Sequence, residues 1–132
     1  MQRRTYLKSI IAAGAAAPFA VAAADTAGRK IQLHVDLAVD PAKEKEMLQN
    51  FHNVFRPAAA KQPGYVDVQM IKLHSTVAGN APQDMNYRFV LTFQNEELRQ
   101  KWIATDTHQK VWPTIEKTLK NTKYNVLLFD IA

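Results

Sequence analysis

From position 31 the chain alternates. Ile31, Leu33, Val35, Leu37 and Val39 are interleaved with Gln32, His34, Asp36 and Ala38, and this period of two predicts a strand over 31–39. Asp40 and Pro41 follow as an N-cap and a first helical residue. Met47, Leu48, Phe51, Val54, Phe55 and Ala58 then recur on one helical face. Pro57 withholds a helical hydrogen bond, which predicts a kink or restart, and Pro63 with Gly64 ends the helix. A second strand is predicted over 65–73, with Val66, Val68 and Met70 opposite Asp67 and Gln69. Residues 75–86, containing Gly79 and Pro82, read as a long loop. The third strand runs over 87–93, with Tyr87, Phe89, Leu91 and Phe93 opposed to Arg88, Val90 and Thr92. Asn95 caps the next helix, whose positive end suits Glu96 and Glu97 and whose apolar contacts are Leu98, Trp102 and Ile103. Residues 105–107 interrupt it, a further helical stretch over 113–119 carries Ile115 and Leu119, and a last strand covers 124–131.

The order strand, helix, strand, strand, helix, strand predicts an α+β fold: a ferredoxin-like βαββαβ sandwich, an antiparallel four-stranded sheet with two helices on one face. The other sheet face then carries Gln32, His34, Asp36, Asp67, Gln69, Arg88 and Thr92, mixed with Val90, Leu127 and Phe129. So mixed a face suits either water or a second sheet closing around a polar-lined cavity.

The first 24 residues change the picture of where this domain works. Arg3 and Arg4 precede an uncharged, alanine-rich run, and Ala22 and Ala24 meet the small–x–small rule, which places cleavage before Asp25. The paired arginines with Tyr6, Leu7 and Lys8 resemble the bacterial twin-arginine signal, with Gln2 where serine or threonine is usual. The expectation is a leader over 1–24 that engages the twin-arginine translocase, a domain over 25–132, and a periplasmic or otherwise exported product. The apolar run falls short of the ~20 residues of a spanning helix, so no stable membrane insertion is expected. The chain has 17 Lys and Arg against 12 Asp and Glu; Arg3, Arg4 and Lys8 leave with the leader, so the basic excess falls from five to two. That weakens any nucleic-acid reading, and the aromatic signature of RNA-binding ferredoxin-like domains is absent. There is no cysteine, which excludes thiolate chemistry and disulfides.

AVDPAKEKEMLQNF, KQPGYVDVQMIKL and YRFVLTFQNEELRQKWIATDTH together resemble the antibiotic biosynthesis monooxygenase family of dimeric α/β barrels, over nearly all of 31–131. The most recognisable pieces are the turn Gln62-Pro63-Gly64 and the segment from Trp102 to His108. The resemblance implies a homodimer whose two sheets close into a barrel, with a cavity between each sheet and its own helices or at the barrel mouth. It also implies a choice among cofactor-free oxygenases of quinols and polycyclic aromatics, haem-degrading enzymes and proteins without assigned activity. His108 matches a histidine of the quinol-oxygenase-like branch. The haem-degrading branch has tryptophan where this chain has Phe93 and a ligating histidine where it has Trp112, and its first-strand asparagine has no counterpart over 31–36.

His108 is accordingly the candidate catalytic base, since imidazole titrates near neutrality; the alternative is a histidine that closes a broken helix. Candidate substrate-binding residues are His34 and Asp36, on one strand face; Tyr65, Phe89, Phe93 and Trp112, as aromatic walls; Trp102; and Arg88, whose mid-strand charge needs Asp36, Asp67 or an acidic ligand as partner. His34 and Asp36 could equally be solvated or buried against a dimer partner, and Trp102 and Trp112 could be core. His34, His52, His74 and His108 lack any close ligand spacing, so neither metal nor cofactor is expected. Two functions compete: a cofactor-independent monooxygenase acting on a small quinol-like or polycyclic aromatic, and a non-catalytic binder of a small apolar molecule.

Overall fold

A computed structural model describes residues 28–132. The leader with its paired arginines, and the cleavage point before Asp25, lie outside the described residues. Four strands, β1 (Ile31–Leu37), β2 (Tyr65–Lys72), β3 (Tyr87–Phe93) and β4 (Val126–Asp130), form one antiparallel sheet in the order β2-β3-β1-β4. The helices are α1 (Glu44–Asn50), α2 (Arg56–Ala60), α3 (Glu96–Ile103) and α4 (Asp106–Glu116). The fold is the ferredoxin-like sandwich. Ile31, Val35 and Leu37 of β1 and Phe89, Leu91 and Phe93 of β3 are buried in one core with Phe51, Phe55, Trp102 and Ile115 from the helical layer. Burying an aromatic or branched aliphatic side chain of this kind stabilises by about 1.5–3 kcal/mol, so this face holds the domain together.

Pro57 acts upstream of itself. α1 and α2 are joined by a π-helical turn, Phe51–Phe55, in which the Arg56 N–H reaches back to the Phe51 carbonyl. A proline ring crowds the carbonyl four residues earlier, and widening the preceding turn relieves that clash without breaking the helix. The wider turn also sets Phe51 and Phe55 nearly parallel, 6.3 Å apart, over Phe89.

Several local expectations are corrected. β1 stops at Leu37; Val39 pairs instead with Leu119, and the Asn86 side chain brackets Val39, accepting from its N–H at 2.8 Å and donating to its carbonyl at 2.9 Å. Leu119 is therefore a bridge residue, not a helical one. The register of β2 shifts between Tyr65 and Asp67, a bulge that leaves Val66 exposed and turns Tyr65 towards Phe93 on the helix side. The interruption expected at 105–107 falls instead at Ala104 and Thr105: Thr105 is the N-cap of α4, its Oγ1 accepting from the His108 N–H at 3.1 Å and donating to the Trp102 carbonyl at 2.6 Å. α4 then runs through Pro113, which lies inside it and does not start it. The last strand begins at Val126, after Tyr124.

Gly64 is required where it stands. Its φ is +86°, its carbonyl accepts from the Gln94 N–H at 2.8 Å, and a Cβ there would lie 2.5 Å from Leu98 Cδ1. The turn thus seats α3 against the edge of β2.

Candidate functional site

Two capped helix starts, close in sequence, aim the site. Asn95 Oδ1 accepts from the Leu98 N–H at 2.9 Å and opens α3; Thr105 opens α4. Because only Ala104 and Thr105 separate the two helices, Trp102 at the end of one meets His108 at the start of the other, ring edge to ring face, with centroids 5.1 Å apart and planes at 88°.

Between these helices, the π turn and the sheet lies an apolar cavity of about 140 Å³. Its floor is Leu33, Val35, Phe89 and Leu91 of β1 and β3, with Val126 of β4 at the margin. Phe55, Trp102, Ile103, His108 and Trp112 form the helical side, and Arg99 and Tyr124 complete the rim. The rings interlock edge to face: Phe89 lies 5.4 Å from Trp112 and 5.1 Å from Phe55.

Most polar groups around this cavity are already engaged. Arg99 is held by Glu96 through two hydrogen bonds of 2.6 and 2.7 Å. The Tyr124 hydroxyl donates to Glu116 Oε2 at 2.8 Å and accepts from Trp112 Nε1 at 3.3 Å. His108 is the exception. Burial alone lowers its pKa, with no neighbouring carboxylate to offset it, so the ring is neutral and proton-accepting at neutral pH. Its Nδ1 is shut away from solvent with no hydrogen-bond partner among the described residues, which leaves Nε2 as the nitrogen a ligand can reach. Trp102 Nε1 is likewise buried and unpartnered.

Of the sequence-derived candidates, the cavity brings together His108, Phe89, Trp102 and Trp112. Tyr65 and Phe93 pack on each other in the same layer, 6.5 Å apart, away from the cavity lining. His34, Asp36 and Arg88 lie on the opposite face of the sheet. There Arg88 Nε donates to Asp36 Oδ1 at 2.6 Å, which identifies the partner of the mid-strand charge. His34 Nε2 pairs with Gln32 Oε1 at 2.7 Å, Gln32 Nε2 donates to Thr92 Oγ1 at 3.0 Å, and the imidazole stacks on Phe129 at 4.8 Å. Burial, then the nearby Arg88 charge, lower the His34 pKa against the opposing pull of Asp36.

The lining residues not singled out from sequence are Leu33, Val35, Leu91, Phe55, Ile103, Arg99, Tyr124 and Val126. The strand alternation and the helical face do mark the first four as inward-pointing. Tyr124, expected in the last strand, reaches the cavity from the connection between α4 and β4 instead. Among the described residues there is no group of three or more His, Cys, Asp or Glu able to hold a metal ion. A larger, polar cleft of about 530 Å³ opens on the other side of Tyr124, between the loop before β3 and the 121–125 segment.

No protein-family model matches the chain, and no curated protein matches it significantly. Solved structures do resemble it in fold. A candidate antibiotic biosynthesis monooxygenase from Caulobacter crescentus superposes with a TM-score of 0.64 at 15% identity, covering 84% of this chain and 98% of its own. SnoaB, a cofactor-independent oxygenase from Streptomyces nogalater, gives 0.60 at 14% identity, over 76% of this chain and 90% of its own. A dimeric ferredoxin-like protein of unknown function from Jannaschia gives 0.62 at 14% identity, over 78% and 98%. At such identities the likeness is one of fold.

Proposed function

We propose that this chain is an exported, homodimeric α/β-barrel protein that oxygenates a small hydroquinone-like aromatic without a cofactor, with His108 as the base. The observation that carries this reading is the aromatic-walled cavity whose one uncommitted titratable group is a neutral imidazole. The fold likeness to a cofactor-independent oxygenase supports it. In this reading His108 Nε2 takes a hydroxyl proton: the O–H bond breaks, an N–H bond forms, and the electron pair stays on the substrate oxygen. The hydroquinone anion is electron-rich enough to reduce dioxygen directly. One oxygen atom enters the ring, the other leaves as water, and the substrate supplies all the electrons as it becomes a hydroxyquinone. The fold likeness to dimeric ferredoxin-like proteins supports a second copy covering the open sheet face.

Oxygen uptake across a panel of hydroquinones tests the chemistry. His108→Ala is expected to lower turnover by about 10²–10⁴ while leaving the fold intact. Because burial lowers its pKa, the wild-type rate should be flat above the ordinary histidine value of about 6.5 and fall only in more acidic solution. Export is tested separately: Arg3→Lys with Arg4→Lys should leave the chain in the cytoplasm with its leader uncut, and unchanged delivery would exclude the twin-arginine route.

One observation favours the second reading, a non-catalytic binder of a small apolar molecule. His108 Nδ1 has no acceptor to hold its proton, whereas a catalytic imidazole is commonly oriented by such a partner. Tight aromatic binding with no oxygen uptake from any hydroquinone would select it.

A further inference from the structure

The apolar cavity, at about 140 Å³, is close to the ~150 Å³ that accommodates one benzene ring. A single ring fills it, so anything attached to that ring must leave through a wall. Two walls are shared with neighbouring hollows. Trp102 also borders a shallow groove beside Gln62 and Pro63, but it is 1% exposed and wedged between Phe55 and His108, at 5.9 and 5.1 Å. Tyr124 borders the polar cleft, is partly exposed, and sits on the connection between α4 and β4. Two side-chain hydrogen bonds hold its hydroxyl, and its ring meets Trp112 edge to face at 6.1 Å on the margin of the core.

The cleft beyond Tyr124 has a definite chemistry. Asn125 and Gln83 offer amide groups, Asn121 offers its amide N–H while its Oδ1 accepts from the Lys123 N–H at 2.9 Å, the charges of Asp84 and Lys123 oppose each other, and Asp36 is neutralised by Arg88. Such a surface recognises hydroxyls and amides and gives no net attraction to an ion. We infer that the apolar cavity and the polar cleft are two halves of one site joined at Tyr124, and that its ligand is a single aromatic ring bearing an uncharged, hydrogen-bonding substituent. The inference rests on the reading of the cavity as the aromatic site. It adds the substituent, its polarity and the residues that select it. Tyr124 acts as the divider: its ring walls the aromatic half, and release of its hydroxyl from Glu116 opens the passage.

Titration of the purified chain with phenol, phenyl β-glucoside, phenyl phosphate and methyl β-glucoside, followed by tryptophan fluorescence, tests this. Phenyl β-glucoside should bind about ten-fold more tightly than phenol, the equivalent of one or two net hydrogen bonds. Phenyl phosphate should gain nothing over phenol, and methyl β-glucoside should leave the fluorescence unchanged. Asn121→Ala with Asn125→Ala should erase the glucoside advantage and keep phenol affinity, which also shows that the variant folds. Tyr124→Phe, which keeps the ring and frees it from Glu116, should speed glucoside association in stopped flow. Equal affinity for phenol and its glucoside, or a preference for the phosphate, would overturn the two-part site while leaving the oxygenase reading in place. Failure of both phenol and glucoside to bind would overturn the cavity reading and this inference with it.

Discussion

The two faces of the sheet are made by alternate residues of the same strands, yet they are built on opposite principles. On the helix side, Val35 faces Phe89 and Leu37 faces Tyr87 across β1 and β3, and each of these four is at most 3% exposed. One residue along, Asp36 faces Arg88, His34 faces Val90 and Gln32 faces Thr92, joined by an ion pair and a short chain of hydrogen bonds. The chain's own helices close the first face over β1 and β3 and leave its margin open at β4, where Val126 and Leu128 are 54% and 42% exposed. The second ends in Leu127 and Phe129, 44% and 40% exposed. Each face also carries a histidine whose Nδ1 is buried without a partner among the described residues, His108 on the cavity side and His34 on the open side. An apolar layer supplies stability. A polar layer with an apolar margin supplies geometry for a partner, because its hydrogen bonds are satisfied only in one register.

The largest test of this contrast is Phe89→Ala. Phe89 is 2% exposed and touches the rings of Phe51, Phe55 and Trp112, so truncation should cost about 3–5 kcal/mol in urea unfolding. A loss below about 1 kcal/mol would mean that the helix-side layer is not the stabilising one. Next comes Phe129→Lys on the open face. Light scattering should show the wild type at about twice the monomer mass and the variant near one. Val77→Lys, at a 96% exposed position, should leave the mass unchanged. A wild type that is monomeric, or a Phe129→Lys chain that stays dimeric, would remove the open face from the interface.

The smallest effect is in pH. Both histidines have folded-state pKa values lowered by burial. Unfolding returns each to about 6.5, so below that pH the unfolded chain binds more protons and stability falls as the pH drops. Above it both rings are neutral in either state and their contribution is complete. The urea midpoint should therefore fall between about pH 7.5 and 5.5, and His34→Gln with His108→Gln should flatten that slope. If only one substitution flattens it, the two faces differ in desolvation and not merely in partners.

Much of this was readable along the chain, and the limits of that reading are physical. The period of two in 31–37 and 87–93 separated the two faces residue by residue, because a strand leaves a side chain no choice of side once its neighbour is placed. The helix start at Asn95 was equally plain, and Asp40 caps a single 3-10 turn, Pro41–Lys43, that leads into α1, since a short polar side chain before a helical turn meets orphan N–H groups only a few residues away. The Asp36–Arg88 pair was one of three options for that cation, and strand register chose it. These determinations are local or follow from pairing.

What the tertiary structure alone decided depends on residues far apart in sequence. The bulge at Val66 and the bracket of Asn86 around Val39 each turn on contacts that no short window contains. The same holds for the cavity. Sequence supplied the aromatic candidates, but Phe89 and Phe93 share a strand face and only Phe89 lines the hollow, while Phe93 is fully buried against Tyr65. Tyr124 was expected to open the last strand and lies before it, bordering both hollows and bonded to Glu116 and Trp112. The side of a strand on which a residue lies is a property of the backbone, set by its neighbours. Whether empty space remains above that residue is a property of how separate layers pack, and only the folded chain determines it.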